Sequence, residues 1–263
     1  MARIYPICSS SSGNSTFIGT RGHGILIDAG CSFRALKSSL ELIDTDLSGI
    51  EALFVTHAHI DHCKALEQIA KHTDIPIFAT DETHRELMER RFLSPDAQVF
   101  DIEEEEYQSA DFAVSAFRTS HDVAGSVGYT ITYRGRKLGV CTDTGYVTEE
   151  AKKALFGCEA VLLESNHDVE MLRNNMHYGP ELKRRILSDK GHLSNAACAE
   201  FAEELVRGGT RHLILGHLSK ENNTPDTAYA CTRDYLAKKG LCAERDYTLT
   251  VAPPVSEGMY IAL

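Results

Sequence analysis

The sequence has no CxxC pair, no window approaching ~18 continuous apolar residues, no internal repeat and no linker, and its positive charge is outnumbered. Each absence excludes something. Without closely paired thiols, the eight cysteines (Cys8, Cys31, Cys63, Cys141, Cys158, Cys198, Cys231, Cys242) read as reduced packing residues, several of them inside apolar runs. Without a long apolar window there is no membrane span. The N-terminus MARIYPICSSSSGN lacks a charged stretch leading into an apolar one and a small-residue cleavage site, so a soluble cytoplasmic protein is expected. With 27 Lys and Arg against 38 Asp and Glu, the net charge of −11 argues against binding nucleic acid over a broad basic surface. Metal cations at an acidic site fit this charge better, and a nucleic-acid substrate would need local basic groups, or the metals themselves, to receive its phosphates.

What is present suffices for a large core: 263 residues, 43% hydrophobic and 25% charged, read as one domain, 1–263, of two packed halves. The only biased tracts are a serine run at 9–12, followed by a Gly13-Asn14 turn signal, and an acidic run at 103–106 that reads as a solvated turn. β-branched and aromatic runs predict strands at 16–19, 24–28, 52–56, 75–80, 113–119, 126–133, 137–143, 160–164 and 212–216. Helical periodicity predicts helices at 32–42, 63–72, 82–91, 148–155, 180–188, 196–207 and 227–239. The fold class is α/β: two sheets packed face to face with helices outside both, a four-layered αββα sandwich whose functional residues lie on loops at strand ends.

One stretch carries unusual chemistry. From Ala52 an apolar strand runs into Thr56-His57-Ala58-His59-Ile60-Asp61-His62, three imidazoles and a carboxylate within six residues. Packing does not account for that density. If the stretch is extended, alternation points His57, His59 and Asp61 to one side, and a turn into the following helix brings His62 around. Imidazole nitrogen with carboxylate oxygen suits Zn²⁺, Mn²⁺ and Fe²⁺ alike, so spacing does not choose the metal.

The segment matches in full the HxHxDH signature, and the chain resembles the metallo-β-lactamase superfamily over nearly its whole length. The family's other motifs match Asp28 in Gly24-Ile-Leu-Ile-Asp28, His121 in Arg118-Thr-Ser-His121, Asp143 in Thr142-Asp143-Thr144 and His217 in Leu213-Ile-Leu-Gly-His217. The resemblance implies two divalent metal ions per chain. One is held by His57, His59 and His121, the other by Asp61, His62 and His217, with Asp143 bridging and Asp28 orienting a ligand or the His57 loop. His59 stands where flavin-linked diiron oxidoreductases of this fold carry glutamate, which favours hydrolysis. Two such ions bring a bridging water toward ionisation at neutral pH, so a metal-bridging hydroxide is the expected nucleophile and the serines at 9–12 need no catalytic role. The family suggests Asp61 as an acceptor of that water's proton.

A leaving group needs a proton donor, and outside the ligand set the candidates are His167, in Ser165-Asn166-His167, and His192, in Gly191-His192-Leu193-Ser194-Asn195. Loop hydrogen bonding explains each equally well. Ser194 or Asn195 is placed to cap the next helix and leave its N–H groups for a phosphate. His23, His72, His84, His177 and His212 remain unassigned.

Within the superfamily, CSSSSGNS, LLESNHD, HLSN and LGHLSKENN resemble the YycJ/WalJ subgroup, which implies a metal-dependent phosphodiesterase acting on DNA as a 5′ to 3′ exonuclease. The resemblance points to Asn166, Ser194, Asn195, Ser219, Lys220 and Asn222 as substrate contacts. Arg173, Lys183, Arg184 and Arg185 flank these segments and read either as a local positive path or as a solvated helix face. Three other readings compete: a hydrolase of small phosphodiesters, thioesters or lactones; a non-catalytic metal-binding regulator, which the complete ligand set opposes; and a transfer-RNA 3′-end nuclease, which would carry a long arm absent here.

Overall fold

The computed structural model describes residues 2–103 and 106–263, and its chain separates into two compact units. The first comprises residues 1–106, 123–125 and 253–263, the second 107–122 and 126–252.

The first unit is built on β1 (Arg3–Ser10), β2 (Gly13–Thr20), β3 (His23–Ile27), α1 (Phe33–Glu41), β4 (Ile50–Phe54), α2 (Ile60–Cys63), α3 (Leu66–His72), β5 (Ile77–Ala79), α4 (Asp81–Glu89) and β6 (Val99–Asp101). Its seven-stranded sheet runs from the C-terminal strand Ile261–Ala262 through β1 to β6 in order. Pairing is antiparallel as far as β3 and parallel from β3 to β6. The continuous apolar runs of β3 and β4 are what a sheet buried on both faces requires. Tyr5, Phe17, Leu26, Leu36, Leu53 and Ile69 lie in the core of this unit.

The second unit holds β7 (Tyr107–Gln108), β8 (Phe112–Arg118), β9 (Val127–Tyr133), β10 (Arg136–Cys141), α5 (Glu149–Leu155), β11 (Ala160–Glu164), α6 (Val169–Asn174), α7 (Pro180–Ile186), α8 (Asn195–Arg207), β12 (His212–Gly216), α9 (Pro225–Lys238) and β13 (Thr248–Val251). Its sheet also has seven strands, in simple order from β7 to β13, antiparallel up to β10 and parallel from β10 onward. In each sheet, therefore, the carboxyl ends of adjacent parallel strands open at one edge, the place where α/β sheets present ligand-binding residues.

Several sequence expectations shift. β1 went unpredicted because Pro6 and the serines interrupt its apolar pattern; a register irregularity between Pro6 and Cys8 accommodates the proline. The turn falls at Ser11 and Ser12, so Gly13 and Asn14 open β2. The helix expected at 63–72 is two helices, because the Ala65 N–H bonds the Ala29 carbonyl instead of continuing the first turn. α6, β6, β7, β13 and the C-terminal strand are short or irregularly patterned and were missed. Of the acidic run, Glu103 lies in a turn and Glu104 and Glu105 are outside the described residues. All eight cysteines are free, five of them buried. Burial pushes the thiols of Cys63, Cys141, Cys158 and Cys198 up, as inert packing residues require. No helix of the described residues is long and apolar enough to cross a membrane.

Candidate metal centre and the residues around it

In the first unit, β3 and β4 end side by side and deliver Asp28 and the His57 loop to one edge. Asp28 takes a left-handed backbone, φ 60°, at an intrinsic cost of about 1 kcal/mol for a non-glycine residue. Its carboxylate accepts from the Thr56 N–H at 2.8 Å and the Thr56 hydroxyl at 2.9 Å, and lies 2.7 Å from His62 Nδ1. Burial pushes the Asp28 carboxyl up, opposed by His62 and by these hydrogen bonds. Thr56 Oγ1 is also 3.0 Å from His57 Nδ1, so a single buried carboxylate fixes both rings.

His57 Nε2 then faces His59 Nδ1 at 3.0 Å, and His62 Nε2 faces Asp61 Oδ2 at 3.6 Å. Two ligand atoms on one tetrahedral zinc, each about 2.0–2.1 Å away, stand about 3.4 Å apart. Both pairs fit a shared cation. Asp61 does not continue an extended stretch as alternation predicted: β4 ends at Phe54, and Asp61 occupies the first turn of α2 with His59 as its N-cap. His59 comes against His57, and Asp61 against His62, because the chain turns there. Asn14, from β2, completes the group with Nδ2 at 3.1 Å from His62 Nε2 and 3.3 Å from Asp61 Oδ2. In the sequence Asn14 stands out as part of a turn signal and of the CSSSSGNS motif, without a role at the site. Its signal was CSSSSGNS, an amide following a small-residue run.

In the second unit, Asp143, Glu164, His192 and His217 each offer a ligand atom, all within 4.8 Å of one another. Asp143 and His217 sit just beyond β10 and β12 with φ 56° and 54°, the same left-handed strain as Asp28. Asp143 Oδ1 is 3.5 Å from His217 Nδ1 and 3.7 Å from His121 Nε2. The Nδ1 of His121 is 3.1 Å from the Gly191 carbonyl, so Nε2 is the nitrogen it presents.

Glu164 is the residue the sequence reading missed. It is fully buried at the end of β11. Its Oε1 accepts from His217 Nδ1 at 2.7 Å and His192 Nδ1 at 2.8 Å, and its Oε2 accepts from the Thr144 and Leu193 N–H groups at 2.8 and 3.1 Å. With four donors on two oxygens, Glu164 is placed to orient both imidazoles, as Asp28 is in the first unit. Burial alone would raise its pKa, yet His192 and His217 outweigh burial and hold it well below the usual carboxylate range. A carboxylate closing an apolar strand was the signal that identified Asp143, and the same reading of Leu162-Leu163-Glu164 would have found it.

The two proton-donor candidates differ. His192 keeps 21% of its side chain exposed; burial lowers its pKa, but the Glu164 charge and hydrogen bond raise it further than burial depresses it. His167 is 1% exposed, neither ring nitrogen has a hydrogen-bond partner among the described residues, and burial pulls its pKa to about 4.

The expected substrate contacts Asn166, Asn195, Ser219 and Asn222 are buried and largely engaged with the protein. Asn166 Nδ2 donates to the His217 carbonyl at 2.9 Å, Asn195 exchanges hydrogen bonds with Asn223 and accepts from Ser165, and Asn222 Nδ2 donates to Ser219 Oγ at 3.3 Å. Ser194 rather than Asn195 caps α8. Lys220 alone of the six is exposed.

Fold and ligand chemistry together define an α/β metallohydrolase. The chain belongs to the β-lactamase superfamily: the family model for its domain matches residues 23–218, which run through both units. It is 35% identical to exodeoxyribonuclease YycJ of Bacillus anthracis over 89% of each chain. It is 31% identical to exodeoxyribonuclease WalJ of Streptococcus pneumoniae, over 94% of this chain and 93% of that one. Among solved structures it resembles zinc-bound PqqB from Methylobacterium extorquens (TM-score 0.75, 16% identity, 99% of this chain and 100% of that one) and unliganded yeast PDE1 (0.71, 14%, 100% and 99%). The expected metallo-β-lactamase fold of two mixed sheets with helices and the resemblance to the YycJ/WalJ subgroup are borne out, and the protein is a metal-dependent hydrolase.

Proposed function

We propose that this protein is a 5′ to 3′ exodeoxyribonuclease, and that residues 1–263 form its one hydrolase domain. The observation that carries the reading is the pairing of each candidate ligand group with its own buried carboxylate, Asp28 for His62 and, through Thr56, His57, and Glu164 for His217. Metal-bound imidazoles need such partners, whereas incidental surface histidines do not. Relatives named as exodeoxyribonucleases, matched over most of the chain, supply the substrate class. Free cysteines throughout fit a reducing cytoplasm.

The ligand assignment is that of the family: His57, His59 and His121 for one ion, Asp61, His62 and His217 for the other, and Asp143 for both, with zinc, manganese and iron all suited to the donors. Bound divalent ions would supply charge neutralisation at the phosphate and an ionisable water. Asp61, held by Asn14, accepts a proton on the attacking side. His192, held through Nδ1 by Glu164, presents Nε2 to donate a proton to the leaving oxygen. His167 is sealed from solvent and stays neutral, so the proton-donor role falls to His192. Lys220 and the α8 N-terminus at Ser194 contact phosphate, while Asn166, Asn195, Ser219 and Asn222 hold those loops in place.

The test is shortening of end-labelled duplex DNA with Mn²⁺ or Zn²⁺, comparing 5′-phosphate with 5′-hydroxyl ends and including Asp61→Ala. Metal-dependent shortening from the 5′ end, lost in the variant, supports the reading. No shortening by a chain that demonstrably binds metal and cleaves a nitrophenyl phosphodiester overturns it in favour of a small-molecule hydrolase.

A further inference from the structure

α7 is the one α-helix among the described residues that buries no residue at all. A surface helix ordinarily pays its ordering cost by burying an apolar stripe, and the other helices of this chain each have buried residues. α7 and its flanks, residues 173–190, instead concentrate charge: Arg173, Lys183, Arg184, Arg185 and Lys190 stand against only Glu181 and Asp189, in a chain whose net charge is −11. α7 is not a core helix with a solvated outer face: Lys183 and Ile186 are half-buried and nothing on it is buried.

The segment is nonetheless held in a definite place. Arg185 bonds Asp122 at 2.5 Å, Lys183 Nζ donates to the Arg173 carbonyl at 2.6 Å, and Ser120 Oγ donates to the Asp189 carbonyl at 2.6 Å. A Cβ on Gly145 would come within 2.2 Å of that same Asp189 oxygen, so the approach is close enough to require glycine. These anchors flank His121 and Asp143, and the segment runs directly into Gly191, which bonds His121, and His192, which bonds Glu164. The positive stretch thus terminates on the second unit's candidate chemistry. Within it, Arg184 and Lys190 are exposed and make no ion pair among the described residues.

We propose that residues 173–190 form the track that receives the DNA backbone, with Arg184 and Lys190 contacting phosphates of the strand leading to His121 and His192. The inference rests on the nuclease reading for its ligand and deepens it: it names the surface through which an acidic protein holds a polyanion. Phosphate contacts position the duplex without reading sequence, so binding through the track is indifferent to base composition and strongly salt-dependent.

The experiment titrates the metal-loaded full chain into a short fluorescent duplex with a phosphorothioate backbone, across a salt series, and follows anisotropy. Three proteins are compared: wild type, Arg184→Glu/Lys190→Glu, and a charge-matched control, Lys153→Glu/Lys238→Glu, at exposed positions on α5 and α9. The track variant is expected to bind about tenfold more weakly, with the slope of log K against log salt reduced by about 0.9 for each lost phosphate contact, and the control to stay close to wild type. The neutral variant Arg184→Gln/Lys190→Gln is expected to show the same change in slope, and thermal melting checks that each variant is folded. Wild-type affinity in the track variant, equal weakening in the control, or no binding of the duplex by wild type overturns the track. Shortening of ordinary duplex is measured alongside. A wild type that binds but never shortens DNA sinks the nuclease reading and leaves the track, whereas a track variant that binds normally in an active nuclease sinks the track alone.

Discussion

His62 Nδ1 lies 2.7 Å from Asp28 Oδ2, and both side chains are sealed from solvent. An ionised carboxylate only accepts, so Nδ1 carries the proton and Nε2, which faces Asp61, is the nitrogen available to a metal. Replacing Asp28 by Ala leaves the imidazole without this constraint and Thr56 without its acceptor. Metal affinity is expected to fall about 10–100-fold, read by competition with a chromophoric chelator. An unchanged affinity would show that the Asp28 hydrogen bonds serve packing alone.

Gly30 is fixed by a backbone approach. A Cβ there would lie 1.6 Å from the Asp61 carbonyl oxygen and 2.6 Å from the Asn14 nitrogen, both main-chain atoms with no rotamer to change. Gly30→Ala should therefore displace the Asp61 turn and reduce hydrolysis of a nitrophenyl phosphodiester roughly 100-fold, the usual cost of a 1 Å misplacement. Turnover within twofold of wild type would mean that the turn yields without disturbing the chemistry.

Glu164 has four donors and no room for one of its own. In Glu164→Gln the new amide can accept on one side only, and its NH₂ must face either the two imidazoles or the Thr144 and Leu193 N–H groups. The variant is expected to lose about 2 kcal/mol in urea unfolding and about 10–100-fold in metal affinity. Stability lost with metal affinity intact would confine Glu164 to a structural part.

His167 gives a pH prediction. Burial holds its folded pKa near 4, below the ordinary 6.5. Between those values the unfolded chain binds a proton that the folded chain refuses. The stability this group contributes is complete above pH 6.5 and is lost as pH falls toward 4, at no more than about 1.4 kcal/mol per pH unit. Urea unfolding of the metal-free protein across pH 4–7 should show that slope in wild type and a shallower one in His167→Gln. Superimposable profiles would rule it out.

What the sequence determined by itself is local. His57, His59, Asp61 and His62 fall within one turn of chain, so their proximity follows from spacing, and the apolar runs of β3, β4, β10, β11 and β12 were legible because buried parallel strands need continuous hydrophobicity. The family motifs added Asp28, His121, Asp143 and His217 as candidates, each at the end of such a run. Only tertiary structure decided which side chains face one another. Glu164 pairs in register with Gly216, next to His217, across 52 residues of sequence, and no local pattern encodes that parallel register. The packed loops bury the asparagines at 166, 195 and 222, leave the His167 ring buried with no hydrogen-bond partner among the described residues, and give His192 its carboxylate. α7 reads as an ordinary amphipathic helix in sequence, with Leu182, Ile186 and Leu187 in it or beside it, because periodicity records which residues could be buried and only the packed fold decides whether anything covers them.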